Sequence, residues 1–237
     1  MKTILFFGLA LVISLQSIAQ VTDQDGYTYN TITIGNMSWM AENLNVSHFR
    51  NGDPIPEAKT NEEWKKAGDN GQPAWCYYKN EGFNGEKYGK LYNWYATNDS
   101  RGLAPKGWHI PSDEEWNDLE DYLGASGHGS KMKNTSGWKN NGNGTNESGF
   151  SGLPGGRRDY GGYKDSLDFY LMGYYGSWWS STELLTSENL YGGYGLGSAS
   201  TRSTTFAWMR SMNHSSDDIS RVEVSKANGY SVRCIRN

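Results

Sequence analysis

The chain has 237 residues, with 22 Lys and Arg against 26 Asp and Glu and a formal charge of −4. That mild acidic balance supplies neither a basic stripe for nucleic acid nor a cationic face for an anionic membrane. With 30 Gly, 16 Tyr and 10 Trp but only 36% hydrophobic residues, the composition points to one globular unit rich in irregular structure.

Lys2, the apolar run from Ile4 to Leu15 and the small residues Ser17 and Ala19 read as a signal peptide over residues 1–19, cleaved before Gln20. The run is short for a membrane span, and no Cys follows the cleavage point to take a lipid. No other apolar stretch approaches span length. The expectation is a secreted, periplasmic or cell-surface protein, not inserted in the membrane, with one domain over residues 20–237. Its two cysteines, Cys76 and Cys234, suggest a disulfide in an exported protein. Free buried thiols and a metal pair are the alternatives.

From Asp25 to Val46 the pattern is β, with Tyr27, Tyr29, Ile32 and Ile34 in period two and Gly35-Asn36 as a turn. Thr60 and Glu63 form a capping box that opens a short helix around Trp64. Ala74 to Tyr78 reads as a strand and Leu91 to Ala96 as a short helix. Ser112 and Glu115 make a second capping box, Asp113 to Glu115 place carboxylates at the positive helix end, and Gly124 stops the run. Trp116, Leu119, Tyr122 and Leu123 define its apolar stripe. Beyond it, long Gly-, Tyr- and Ser-rich loops are held by aromatic side chains such as Trp178 and Trp179. Strands close the chain at Phe206–Met212, where Phe206, Trp208, Arg210 and Met212 share a face, and at Ile219–Val224 and Tyr230–Ile235.

Few residues carry a signal for chemistry. The four histidines form no H-x-x-x-H or H-E-x-x-H pair, and no C-x-x-C, G-x-S-x-G or phosphate loop is present. His109 reads as a hydrogen-bonded structural imidazole. Trp116-Asn117-Asp118 spells the W-N-D of calcium-dependent lectins, but it sits on a capped helix and no E-P-N loop accompanies it. Asp165 with Asp168, and Asp217 with Asp218, offer oxygens to Ca²⁺. Two loop carboxylates are ordinarily just solvated, so no cofactor is expected.

The stretch G-W-H-I-P-S-D-E-E-W (Gly107 to Trp116) resembles the signature of the Fibrobacter succinogenes major paralogous domain family. Ile34–Leu44, Tyr88–Ala96, Gly149–Arg158 with Ser177–Thr182, and Gly229–Arg236 fit that family in the same order. The resemblance implies an α+β, C-type-lectin-like domain with short antiparallel sheets, two main helices (Leu91–Ala96 and the one from Asp113) and long Gly/Tyr-rich loops. It also implies kinship with formylglycine-generating enzymes, whose copper chemistry needs a close pair of cysteines, and with retroelement-variable proteins. Relatives with Ala at the position of Ala104 tend to carry the W-C-Y-Y cysteine, which supports a Cys76–Cys234 bridge.

In the retroelement-diversified relatives, variable residues precede the final strand, which maps onto Thr205–Lys226. The expected ligand-binding residues are therefore Trp208, Arg210, Asn213, His214, Asp217 and Asp218, with Tyr191 and Tyr194 next. The competing reading puts Trp208 in the core and leaves the hairpin solvated. The functional expectation is a monomeric, non-catalytic binding or adhesion module for an extracellular glycan or surface protein. A structural surface component and an oxidase-like enzyme are the alternatives.

Overall fold

The computed structural model describes residues 19–161, 168–184 and 205–237. The expected signal peptide, apart from Ala19, lies outside the described residues, as do Asp165, Tyr191 and Tyr194. The first strands follow directly: β1 (Gln20–Thr22), β2 (Thr28–Ile34) and β3 (Met37–Met40), each antiparallel to the next. Gly35 turns β2 into β3 at φ +65°, a backbone conformation that L side chains resist. The closing strand β12 (Ile235–Arg236) pairs Ile235 with both Trp39 of β3 and His109 of β6 (Trp108–His109). The sheet order β1-β2-β3-β12-β6 thus joins the two ends of the domain. Of the stretch expected to be the closing strand, Tyr230 and Ser231 make only single bridges, and residues 232–234 belong to no strand.

Helix α1 (Asn61–Asp69) starts at the Thr60 capping box, and α2 (Gly82–Tyr88) follows a single turn of 3₁₀ helix over Tyr78–Asn80. β4 (Trp75–Cys76), between these helices, pairs with β5 (Leu91–Tyr92), just after α2, and α3 (Trp94–Thr97) is one turn capped by the Asn93 side chain. Leu91 and Tyr92 are therefore strand, not the start of a main helix, because Cys76 and Trp75 offer them a ladder. The longest helices are α1 and α4 (Asp113–Leu123), and α5 (His128–Met132) is short. In α4 the Ser112–Glu115 box forms as expected, and Gly124 ends the helix at φ +107°. Tyr122 departs from the apolar stripe: it is 65% exposed and lies across the Gly35 turn.

After α5 come β7 (Arg157–Arg158), paired with β8 (Phe169–Tyr170), and a three-stranded sheet in the order β11-β10-β9. Its strands are β9 (Tyr175–Glu183), β10 (Phe206–Asn213) and β11 (Ile219–Ser225). Adjacent residues of β9 enter different interior clusters, Trp178 with Trp39, Trp116 and Met212, and Trp179 with Trp94, Trp108 and Met209. A third cluster holds Trp64, Cys76 and Leu91. Trp39, Trp94, Trp108, Trp116 and Trp179, the tryptophans a core needs, are all buried.

The expected Cys76–Cys234 disulfide is absent. Both are free buried thiols, Cys234 packed in the larger cluster and Cys76 in the third. Burial pushes the Cys76 thiol up to about 11 and Cys234 higher still. Among the described residues no helix is long and apolar enough to cross a membrane.

Candidate functional site

β10 and β11 run antiparallel from the Phe206–Ser225 pair to the Met212–Ile219 pair. Alternation along the strands sends successive side chains to opposite faces. One face carries Trp208, Arg210 and Met212, and it is turned toward α4. Arg210 is 1% exposed. It donates to Asp113 Oδ1 at 2.6 Å, to Glu120 Oε1 at 2.5 Å, to Asn117 Oδ1 at 2.5 Å and to the Asp113 carbonyl at 3.1 Å. Trp208 is half-buried, with the Arg221 guanidinium 3.3 Å from its ring centre. Arg210 offers no free recognition group, and Trp208 spends one ring face on Arg221. Carboxylates on α4 attract the cations of this face, and that ionic layer turns the expected ligand surface inward.

The other face carries Met209, Ser211 and Asn213 opposite Val222 and Ser220, and β9 extends it with Ser177 and Tyr175. Here the sheet opens into a groove of about 640 Å³, whose far wall includes Arg157, Asp159, Tyr160, Asn228 and Tyr230. Arg157 and Asp159, two residues apart around β7, share a side and form a two-point ion pair at 2.6 and 3.2 Å. Burial lowers the Arg157 pKa, but the bonds from Asp159 outweigh it and hold the guanidinium above its ordinary value. Asn228 accepts from the Tyr160 N–H at 2.8 Å and donates to the Tyr230 hydroxyl at 3.3 Å. Burial pushes the Tyr230 phenol up to about 12, so it stays neutral. The Ser177 and Ser211 hydroxyls lie 3.3 Å apart. The groove therefore combines a fixed ion pair, hydroxyls and an amide with the aliphatic surface of Val222 and Val224. That lining suits a ligand with both polar and apolar edges.

The remaining expected residues divide. Asn213 lines the groove, though its Oδ1 also accepts from Ser215 N and Oγ at 2.8 and 2.9 Å. His214 is half-buried, its ring edge-on to Tyr174 at 5.2 Å and its Nδ1 buried without a partner among the described residues. Asp217 and Asp218 are exposed, but they anchor α5: the Asp217 carbonyl accepts from Ser130 N at 2.9 Å and Asp218 Oδ1 from Gly127 N at 2.6 Å. No cluster of three His, Cys, Asp or Glu side chains that could hold a metal occurs among the described residues. His109 bridges Glu115 Oε1 (2.8 Å) and Asn237 Oδ1 (2.7 Å), the structural role expected of it.

Sequence reasoning missed Arg157, Asp159, Ser211, Ser220 and Asn228. The R-x-D spacing at 157–159 was a usable signal, since strand residues two apart face the same way. The Ser211–Asn213 alternation was another, in the opposite phase to the aromatic one.

A family model described as the Fibrobacter succinogenes major domain matches residues 32–236. The chain belongs to that family. No curated protein and no solved structure matches it. The segments that carry the family resemblance build the interior: Trp39, Leu91, Trp108, Arg158, Trp178, Trp179 and Arg233 are all buried. Asp159, Tyr175, Ser211, Ser220, Val222 and Asn228, by contrast, line the groove from outside those segments.

Proposed function

We propose that this chain is an exported, non-catalytic binding module that holds an extracellular glycan or surface protein in the groove between β10–β11 and the Arg157–Asp159 wall. The observation that carries this reading is the lining: a pre-formed ion pair, hydroxyls and an amide beside apolar surface, with Arg157, Ser211, Asn213 and Ser220 on strands. A C-type-lectin-like scaffold accords with a sheet joining both chain ends and a second sheet carrying the late segments. The separate, buried thiols weigh against the oxidase-like alternative, which needs two reactive cysteines side by side.

The test is a binding screen of the exported protein on glycan arrays and on bacterial surface fractions. Ser220 is exposed on β11, and a Ser220→Arg side chain reaches across the groove. Its expected effect is loss of capture with an unchanged Tm. Equal capture by parent and Ser220→Arg would move the site elsewhere, and a screen empty of ligands would favour a structural component of the cell surface.

A further inference from the structure

A second cavity of about 610 Å³ opens between the β2–β3 side of the domain and the Gly85–Gly89 segment, and it shares no residue with the groove. Asn43, Asn45 and Arg233 line it and are all at least nine-tenths buried. Arg233, 1% exposed, bonds no carboxylate among the described residues. Its guanidinium has five N–H groups. Nε and one Nη2 N–H go to Asn43 Oδ1 at 3.2 and 2.8 Å, and Nη1 donates to the Met40 carbonyl at 3.1 Å and to the Phe150 carbonyl. One Nη2 N–H is left without an acceptor among the described residues. Asn43 cannot take it, because its oxygen already accepts from Trp178 Nε1 at 2.8 Å as well. Asn45 shows the opposite deficit: its Oδ1 is buried and has no donor among the described residues. Buried polar atoms without partners are rare in folded proteins, and each calls for an explanation.

The rim narrows the choice of ligand. The Glu42 carboxylate is engaged by Asn30 through its N–H (2.9 Å) and Nδ2 (2.8 Å). Glu86 and Lys87 add one charge of each sign, so the lining is balanced once Arg233 is counted. A balanced lining selects against a charged ligand. Tyr27, 50% exposed at the same rim, offers an aromatic face to the C–H side of a sugar ring. A spare donor and a spare acceptor in one cavity match the C=O and N–H of a secondary amide.

We propose that this cavity is a second binding site, for an uncharged acetamido sugar, with Tyr27 under the ring and Arg233 and Asn45 bonded to the acetamido group. It stands independently of the reading given to the groove.

Calorimetric titration of the exported protein with chitopentaose and with cellopentaose tests it. Chitopentaose should bind, and cellopentaose, which lacks the amide, should bind more weakly. Asn45→Ala should raise the chitopentaose Kd about tenfold, the loss of one hydrogen bond. Because it removes an orphaned acceptor, it should leave the Tm equal or higher, so that a weakened Kd cannot come from unfolding. Tyr27→Ala, on the exposed rim, should also weaken binding, while Ser220→Arg in the groove should not. Absence of chitopentaose binding, or equal binding by parent, Asn45→Ala and Tyr27→Ala, overturns the site, and equal affinity for cellopentaose overturns the amide assignment. Loss in Ser220→Arg alone places the sugar in the groove and overturns this site while supporting the other.

Discussion

The Arg210 guanidinium reaches Asp113, Glu120 and Asn117 of α4 at once, and Arg221 holds Asp113 from the other side at 2.8 Å. Removing a buried partner leaves carboxylates stranded, so Arg210→Ala should cost about 3 kcal/mol, read as a shifted denaturant midpoint. Arg221 is exposed, and Arg221→Ala should cost about 1 kcal/mol or less. Burial pushes the Asp113 carboxyl up, but Arg221 and Arg210 hold it below the ordinary range. A depressed carboxylate stabilises the fold above its unfolded value of about 3.9, and that stability is lost as pH falls through the folded pKa. The gap between parent and Arg210→Ala should therefore narrow in acid. The thiols act with the opposite sign. Burial raises both, so their contribution is complete below the unfolded value of about 8.5 and is lost as pH climbs toward their folded values, about 11 for Cys76. Lys90 opposes them, since burial lowers it to about 8 and its neutral form gains stability above that pH. The test is thus the difference between parent and the Cys76→Ala, Cys234→Ala double variant, which should shrink steadily above pH ~8.5. An oxidised pair would give no such slope.

Elements whose signals are local could be read from the chain, and those set by distant partners could not. α4 begins at Ser112 and ends before Gly124 because the cap, the first-turn carboxylates and the terminal glycine act within a few residues of one another. Its cap is further tied down: Thr182 Oγ1 accepts from Asp113 N at 2.9 Å, and His109 bonds Glu115. Ser112→Ala should still cost about 1 kcal/mol, because no other side chain among the described residues serves the Glu115 N–H, and thermal unfolding measures it. The phase of β10 had two competing local signals, the aromatic alternation and the Ser211–Asn213 one, and nothing local to choose between them. Trp208 and Arg210 look like ligand groups until α4 supplies Asp113 and Glu120, and the face of β10 that lines the groove carries only the plainer Met209, Ser211 and Asn213. Leu91 and Tyr92 have helical neighbours in sequence, yet Trp75 and Cys76 draw them into a strand.

At the scale of the molecule, the tryptophan core was legible because large apolar side chains have few places to go, whereas the buried cations were not. Arg158, Arg210 and Arg233 are all among the fully buried side chains, and each joins segments distant in sequence. Arg158 is the clearest tie. It donates to the Ala58 carbonyl at 2.8 Å, to the Thr60 carbonyl at 2.9 Å and to Asn61 Oδ1 at 3.1 Å, about a hundred positions upstream. Its guanidinium lies 4.7 Å from the Trp64 ring centre and 4.9 Å from that of Phe169, so one side chain fastens α1 to β7 and β8. Ala58 and Thr60 sit just ahead of α1, where a loose approach would free the helix. Arg158→Met keeps much of the volume but takes a donor from three acceptors, of which, among the described residues, only the Thr60 carbonyl keeps another, the Trp64 N–H at 3.1 Å. At about 1–3 kcal/mol for each buried group left unpaired, discounted because Asn61 can turn to water, the expected loss is about 3 kcal/mol. Arg158→Lys should restore little, since an ammonium has neither the planar fork nor the stacking face. Tryptophan fluorescence and far-ultraviolet circular dichroism, followed together in denaturant, read the outcome. One shared transition at a lower midpoint is expected. A midpoint equal to the parent's would show that α1 is held by Trp64 burial alone and that the arginine ties nothing.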